Sequence, residues 1–78
     1  ILSKTISVNT VESEIAKPLE GVQNKFKNIE IGSYPFFRLG KVGVAIVMRS
    51  TEPEQIEDCV KQIQSFIKQK KIKILRSE

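Results

Sequence analysis

Read as alternating apolar and polar positions, the first residues of the chain form a half-buried strand. From Leu2 to Val8, the side chains Leu2, Ile6 and Val8 fall on one face, with Lys4 as that face's polar member, and Ser3, Thr5 and Ser7 fall on the other. The period then changes. Val11, Ile15, Leu19, Val22 and Phe26 recur at helical spacing and predict one apolar stripe, with Asn9 and Glu12 spaced as a capping box at its mouth. Pro18 lacks an N–H and its ring crowds the preceding turn, so a kink or a fresh start near Lys17 is expected. Asn28 closes the helix, and Ile29-Glu30-Ile31 opens a second strand running into Gly32-Ser33-Tyr34-Pro35. Pro35 to Gly40 reads as a loop.

The second half repeats the order. Lys41 to Arg49 is the clearest strand: Val42, Val44, Ile46 and Met48 line one face, while Gly43, Ala45 and Val47 keep the other small or apolar enough to be covered as well. Thr51, Pro53 and Glu54 signal a helix start with Thr51 as the cap. Ile56, Cys59, Val60, Ile63, Phe66 and Ile67 carry its stripe to about Gln69. Lys71 to Leu75 predicts a short last strand with Ile72 and Ile74 on one face. Two strand-helix-strand halves imply an α+β, ferredoxin-like βαββαβ domain: a four-stranded antiparallel sheet with two helices on one face, spanning residues 1–78 as one unit.

Composition narrows what such a domain does. With 78 residues it buries a small core, and 40% hydrophobic against 28% charged residues fits a globular fold with no run long enough to span a membrane. The absence of histidine and the presence of one cysteine exclude a disulfide within the chain, a Cys/His zinc cluster and a Cys-His dyad. The stripe assigns Cys59 to the core, and a lone thiol fits a reducing, cytoplasmic compartment. Glu12 and Glu14, like Glu52, Glu54, Glu57 and Asp58, sit at helix starts, where the dipole favours carboxylates, and imply no acid-base pair. No catalytic residue, metal ligand or cofactor site is expected within the domain. The start at Ile1, without an initiator methionine or leader, suggests a piece of a longer protein.

Two segments stand out as candidate contacts. The net charge of +4 is concentrated in Lys68, Lys70, Lys71, Lys73 and Arg76, which would suit an anion or simply a solvated helix end. A nucleic-acid-binding module is the alternative built on that segment. It is disfavoured because Leu2–Val8 and Lys41–Arg49, the expected central strands, carry no aromatic residue. Gly40-Lys41-Val42-Gly43 matches a GxxG string but leads into a strand rather than joining two helices. The other segment, Gly32-Ser33-Tyr34-Pro35-Phe36-Phe37, combines backbone freedom, a ladder stop and three aromatic rings, a pattern suited to contact with another domain or partner.

Glu14-Ile15-Ala16, then Ile29-Glu30-Ile31-Gly32-Ser33-Tyr34-Pro35, then a valine-rich strand and a helix after Thr51 resemble the small domain that follows the molybdopterin-binding-like domain in FAD synthases. The competence/damage-inducible protein A group is similar. The likeness runs from about Val11 to Gln69 and is most specific at Ile31 to Pro35. It implies a preceding molybdopterin-binding-like domain as the principal partner, in which the nucleotide-hydrolysing metal and phosphate sites would lie. For this chain it implies a non-catalytic accessory role in domain packing, homo-oligomer formation or the rim of a neighbouring nucleotide site.

Overall fold

A computed structural model describes residues 1–78. The elements run β1 (Leu2–Asn9), α1 (Glu12–Lys25), β2 (Glu30–Arg38), β3 (Lys41–Ser50), α2 (Pro53–Gln69) and β4 (Lys73–Ser77). The sheet order is β2-β3-β1-β4 and every neighbouring pair is antiparallel, which is the ferredoxin-like arrangement.

Both helices cover one face of this sheet. Ile6, Val8, Val44, Ile46 and Met48 of the central strands interlock with Ile15, Leu19 and Val22 of α1 and with Ile56, Cys59, Ile63 and Ile67 of α2, and Ile29 completes the cluster. Period two in the strands and a three-to-four spacing in the helices turn these side chains inward together. Cys59 is fully buried as a small hydrophobe, and loss of solvent raises its thiol pKa from 9.0 to about 11.

Several local expectations are corrected. Pro35 to Arg38 is strand, not loop: β2 continues to Arg38 and returns through Leu39-Gly40 into β3, with Phe36 opposite Gly43 and Phe37 opposite Val42. Pro35 is tolerated because β2 lies at the edge of the sheet, where one side of the strand needs no ladder. Leu39 and Gly40 have φ of 53° and 77°, and two left-handed residues in a two-residue loop form a type I′ hairpin turn.

Neither expected helix cap forms. Asn9 is the last residue of β1, so its backbone is committed to the ladder, and Val11 takes the cap position without a side-chain bond. The Glu12 carboxylate accepts instead from Ser33 Oγ of β2 at 2.8 Å. At α2 the cap residue is Glu52 rather than Thr51, and Ser50 Oγ accepts from the Glu52 N–H at 3.1 Å. Pro18 does not divide α1, which is one helix from Glu12 to Lys25. Burial of Ile15, Leu19 and Val22 on the sheet outweighs the lost bond, and the Glu14 carbonyl left without its partner belongs to an exposed residue. The helix also stops at Lys25, before Asn28.

The last strand is displaced by two residues, to Lys73–Ser77. The end of α2 uses up the intervening chain. Lys71 adopts φ 58°, its N–H donates to the Lys68 carbonyl at 3.1 Å, and the Ile72 N–H donates to the Ile67 carbonyl at 3.0 Å. These are the paired bonds of a Schellman motif, with Ile72 packed on the core beside its partner Ile67. Ile72 therefore belongs to the helix stop, while Ile74 lies opposite Val8 in the ladder. A bulge between Ser7 and Val8 leaves Leu75 as the extra residue.

Candidate functional site

Strand alternation separates the Gly32 to Phe37 segment into two surfaces. Ser33, Pro35 and Phe37 pair with Ile46, Val44 and Val42 and so take the helix side. Gly32, Tyr34 and Phe36 pair with Val47, Ala45 and Gly43 and take the open side, which carries no helix. Neither Tyr34 nor Phe37 is buried among the stripe residues: they are 53% and 73% exposed.

On the open side the two glycines are covered by rings. Tyr34 folds back over Gly32, where an added Cβ would come within 2.9 Å of the Tyr34 hydroxyl oxygen. Phe36 lies across the strand on Gly43, which is buried by it; an added Cβ there would meet the ring and would stand 2.9 Å from the Val8 carbonyl oxygen. Glycine opposite an aromatic lets the ring settle onto backbone, a device that shields a sheet without a second layer. Beside Phe36 is a shallow hollow of about 310 Å³ that includes Ser7, Arg38, Lys41, Leu75 and Arg76.

On the helix side, the β2–β3 hairpin extends past the helical cover. Phe37 and Val42 form a cross-strand pair on that face, yet Val42 is 43% exposed, and Leu39 at the turn is 95% exposed. This end of the hairpin is an apolar edge.

The five basic residues are not one surface. Lys68, Lys70 and Lys71 surround the end of α2, all exposed, whereas Lys73 and Arg76 stand on β4 opposite Asn9 and Ser7 and face the open side. Arg38 and Lys41, which flank the hairpin turn and join the latter pair, escaped the sequence reading because Pro35 to Gly40 looked like a loop, which hid that Arg38 pairs with Lys41 at the start of the third strand. The alternation from Glu30 onward, continued through Pro35, was the available signal.

Nothing in the fold assembles reactive groups. No group of three or more carboxylate or thiol side chains stands close enough to hold a metal ion, every buried side-chain polar atom is hydrogen-bonded, and the one thiol is raised away from the reactive thiolate. No helix is long and apolar enough to cross a membrane. The polar side chain with the most bonds at a junction is Gln23, whose Nε2 donates to the Phe26 and Ile29 carbonyls at 3.1 and 2.7 Å while its Oε1 accepts from the Ile31 N–H at 3.1 Å.

The family model described as "FAD synthase, middle domain" matches residues 1–75. The chain belongs to that family. In this FAD synthase middle domain, the strand-to-hairpin segment from Ile31 to Pro35 noted for its resemblance forms the first half of edge strand β2. No curated protein matches the chain significantly. Among solved structures, "De novo designed protein Foldit4" is similar at 27% identity with a TM-score of 0.71, over 97% of this chain and 91% of that one. "De novo designed protein Ferredog-Diesel" shares the fold at 21% identity and a TM-score of 0.55, over 99% and 84% of the two chains.

Proposed function

We propose that this domain is a non-catalytic accessory module of an FAD-synthase-related protein, and that it acts by packing its β2–β3 hairpin end against another domain or another copy. The observation that carries this reading is the apolar edge of Phe37, Leu39 and Val42, held out beyond the helices on a regular hairpin. Leu39 strengthens it: a 95% exposed leucine in a left-handed turn position is neither a good turn residue nor part of the core. The resemblance at Ile31 to Pro35 supports a molybdopterin-binding-like domain as the surface on which this edge rests, in a cytoplasmic protein, with the chemistry performed there.

Sedimentation of the chain alone and mixed with a molybdopterin-binding-like domain of an FAD synthase tests the reading. Phe37→Ser should weaken the association seen by about tenfold or more, the worth of one buried phenyl ring, without lowering the melting temperature of the isolated domain. An association indifferent to Phe37→Ser, or none in either arrangement, would overturn it. Incubation of the isolated chain with FAD or ADP-ribose and a divalent metal should give no hydrolysis.

A further inference from the structure

The open side of the sheet is uneven in charge. Arg38, Lys41 and Lys73 stand at the end holding the β2–β3 turn and Arg76 at mid-sheet, and the carboxylate beside them, Glu78, lies beyond Arg76 toward the other end. At the other end the single cation of the ladder, Arg49, lies opposite Glu30. The cations gather where Phe36 and Leu75 provide an apolar floor, and Ser7 adds a hydroxyl between them. From this juxtaposition we propose that the hollow beside Phe36 binds a free nucleoside phosphate, its ring on Phe36 and its phosphates toward Arg38, Lys41 and Arg76.

A flat ring bearing a compact negative charge answers both halves of the site. Phe36 is held in place by its seat on Gly43, so it offers a fixed platform for stacking at little cost in side-chain freedom. Two guanidinium groups supply planar forks suited to phosphate oxygens, and Lys41 adds a point charge. Arg76 meets Glu78 through its Nε at 3.3 Å, but both side chains are more than half exposed, so an incoming phosphate displaces little energy. The hollow of about 310 Å³ is at the small end of ligand sites and suits one nucleotide. A bound single strand would need cations along the whole face, whereas here they stop midway. Leu39 at the turn borders both this hollow and the hairpin edge, but Phe37 and Val42, the cross-strand pair of that edge, are on the opposite side of the sheet.

Titration of the isotope-labelled chain with ADP, followed by amide NMR shifts, tests the site in low salt. The expected result is saturable shifts centred on Phe36, Gly43, Lys41 and Arg76, with adenosine and pyrophosphate each binding about tenfold more weakly. Phe36→Leu keeps an apolar cover over Gly43 and should weaken ADP by about tenfold while leaving pyrophosphate unchanged. Arg38→Gln, at an exposed position, should weaken both by about fivefold. Phe37→Ser should leave ADP binding as it was, which separates this site from the packing edge. Absence of shifts at these amides, equal affinity for ADP and pyrophosphate, or tighter binding per nucleotide of an oligothymidylate would each overturn the proposal.

Discussion

Replacing Gln23 removes three hydrogen bonds at once from the junction between α1 and β2. The Phe26 carbonyl keeps its bond from the Ile29 N–H, but the Ile29 carbonyl and the Ile31 N–H lose their Gln23 partner, and Ile29 is only 2% exposed, so water restores little of what is lost. With each net bond worth about 0.5–1.5 kcal/mol, Gln23→Ala and Gln23→Met should both cost about 2–3 kcal/mol. The methionine variant keeps length and volume and thereby assigns the loss to the bonds. For a domain of this size the melting temperature should fall by about 10–20 °C. Urea unfolding followed by circular dichroism gives the free energy directly. Gln23→Glu adds a sign: its carboxylate would face two carbonyl oxygens, so its folded pKa lies above the unfolded value of about 4.3. That variant should be less destabilised at pH 3.5 than at pH 7, because the unfolded chain gives up the proton first as pH rises. A methionine variant within about 0.5 kcal/mol of the parent would refute the reasoning.

Other outcomes follow from backbone and core. Leu39→Asn, which supplies the residue a type I′ turn favours at φ 53°, should raise stability by about 1 kcal/mol in the same unfolding assay, since the leucine is almost wholly exposed. Lys71→Gly should add about 0.5–1 kcal/mol, being the relief of a left-handed residue less the greater freedom of unfolded glycine; loss of stability would contradict the Schellman assignment. The Cys59 thiol is pushed from 9.0 to about 11, so the unfolded chain ionises first and stability should fall by about 1.4 kcal/mol per pH unit between those values. A Cys59→Ala variant should lack that component of the slope, as a comparison of melting curves at pH 8 and pH 10.5 would reveal.

The fold was legible because the chain changes period cleanly at its joints. Leu2–Val8 and Lys41–Arg49 alternate, the stripes after Val11 and Ile56 do not, and these four elements supply nearly all of the core. What escaped was decided by neighbours in space. Pro35 reads as a ladder stop in isolation, yet on an edge strand it stops nothing, and the edge position of β2 is a property of the sheet. Asn9 and Thr51 have the chemistry of caps but not the place: β1 continues through Asn9, and Ser50 at the end of β3 supplies the oxygen for α2. The contact segment was found in sequence at Gly32 to Phe37, but its division between two sides became visible only with the β2–β3 register. Arg38 and Lys41 were missed with it. Their partners Arg76 and Lys73 belonged in the sequence to a basic run that the helix stop at Lys71 divides.

The outermost rung of the β1–β4 ladder joins Thr5 and Glu78, each donating its N–H to the other's carbonyl at 3.0 and 2.7 Å. The two ends of the polypeptide thus leave side by side from one end of the sheet, opposite the hairpin turn. Tension applied across them would open β1 from β4 like a zipper, breaking one pair of bonds at a time instead of shearing the whole ladder together. A domain threaded in this way yields at low force, and its first loss under load would be β4, the strand that carries Arg76.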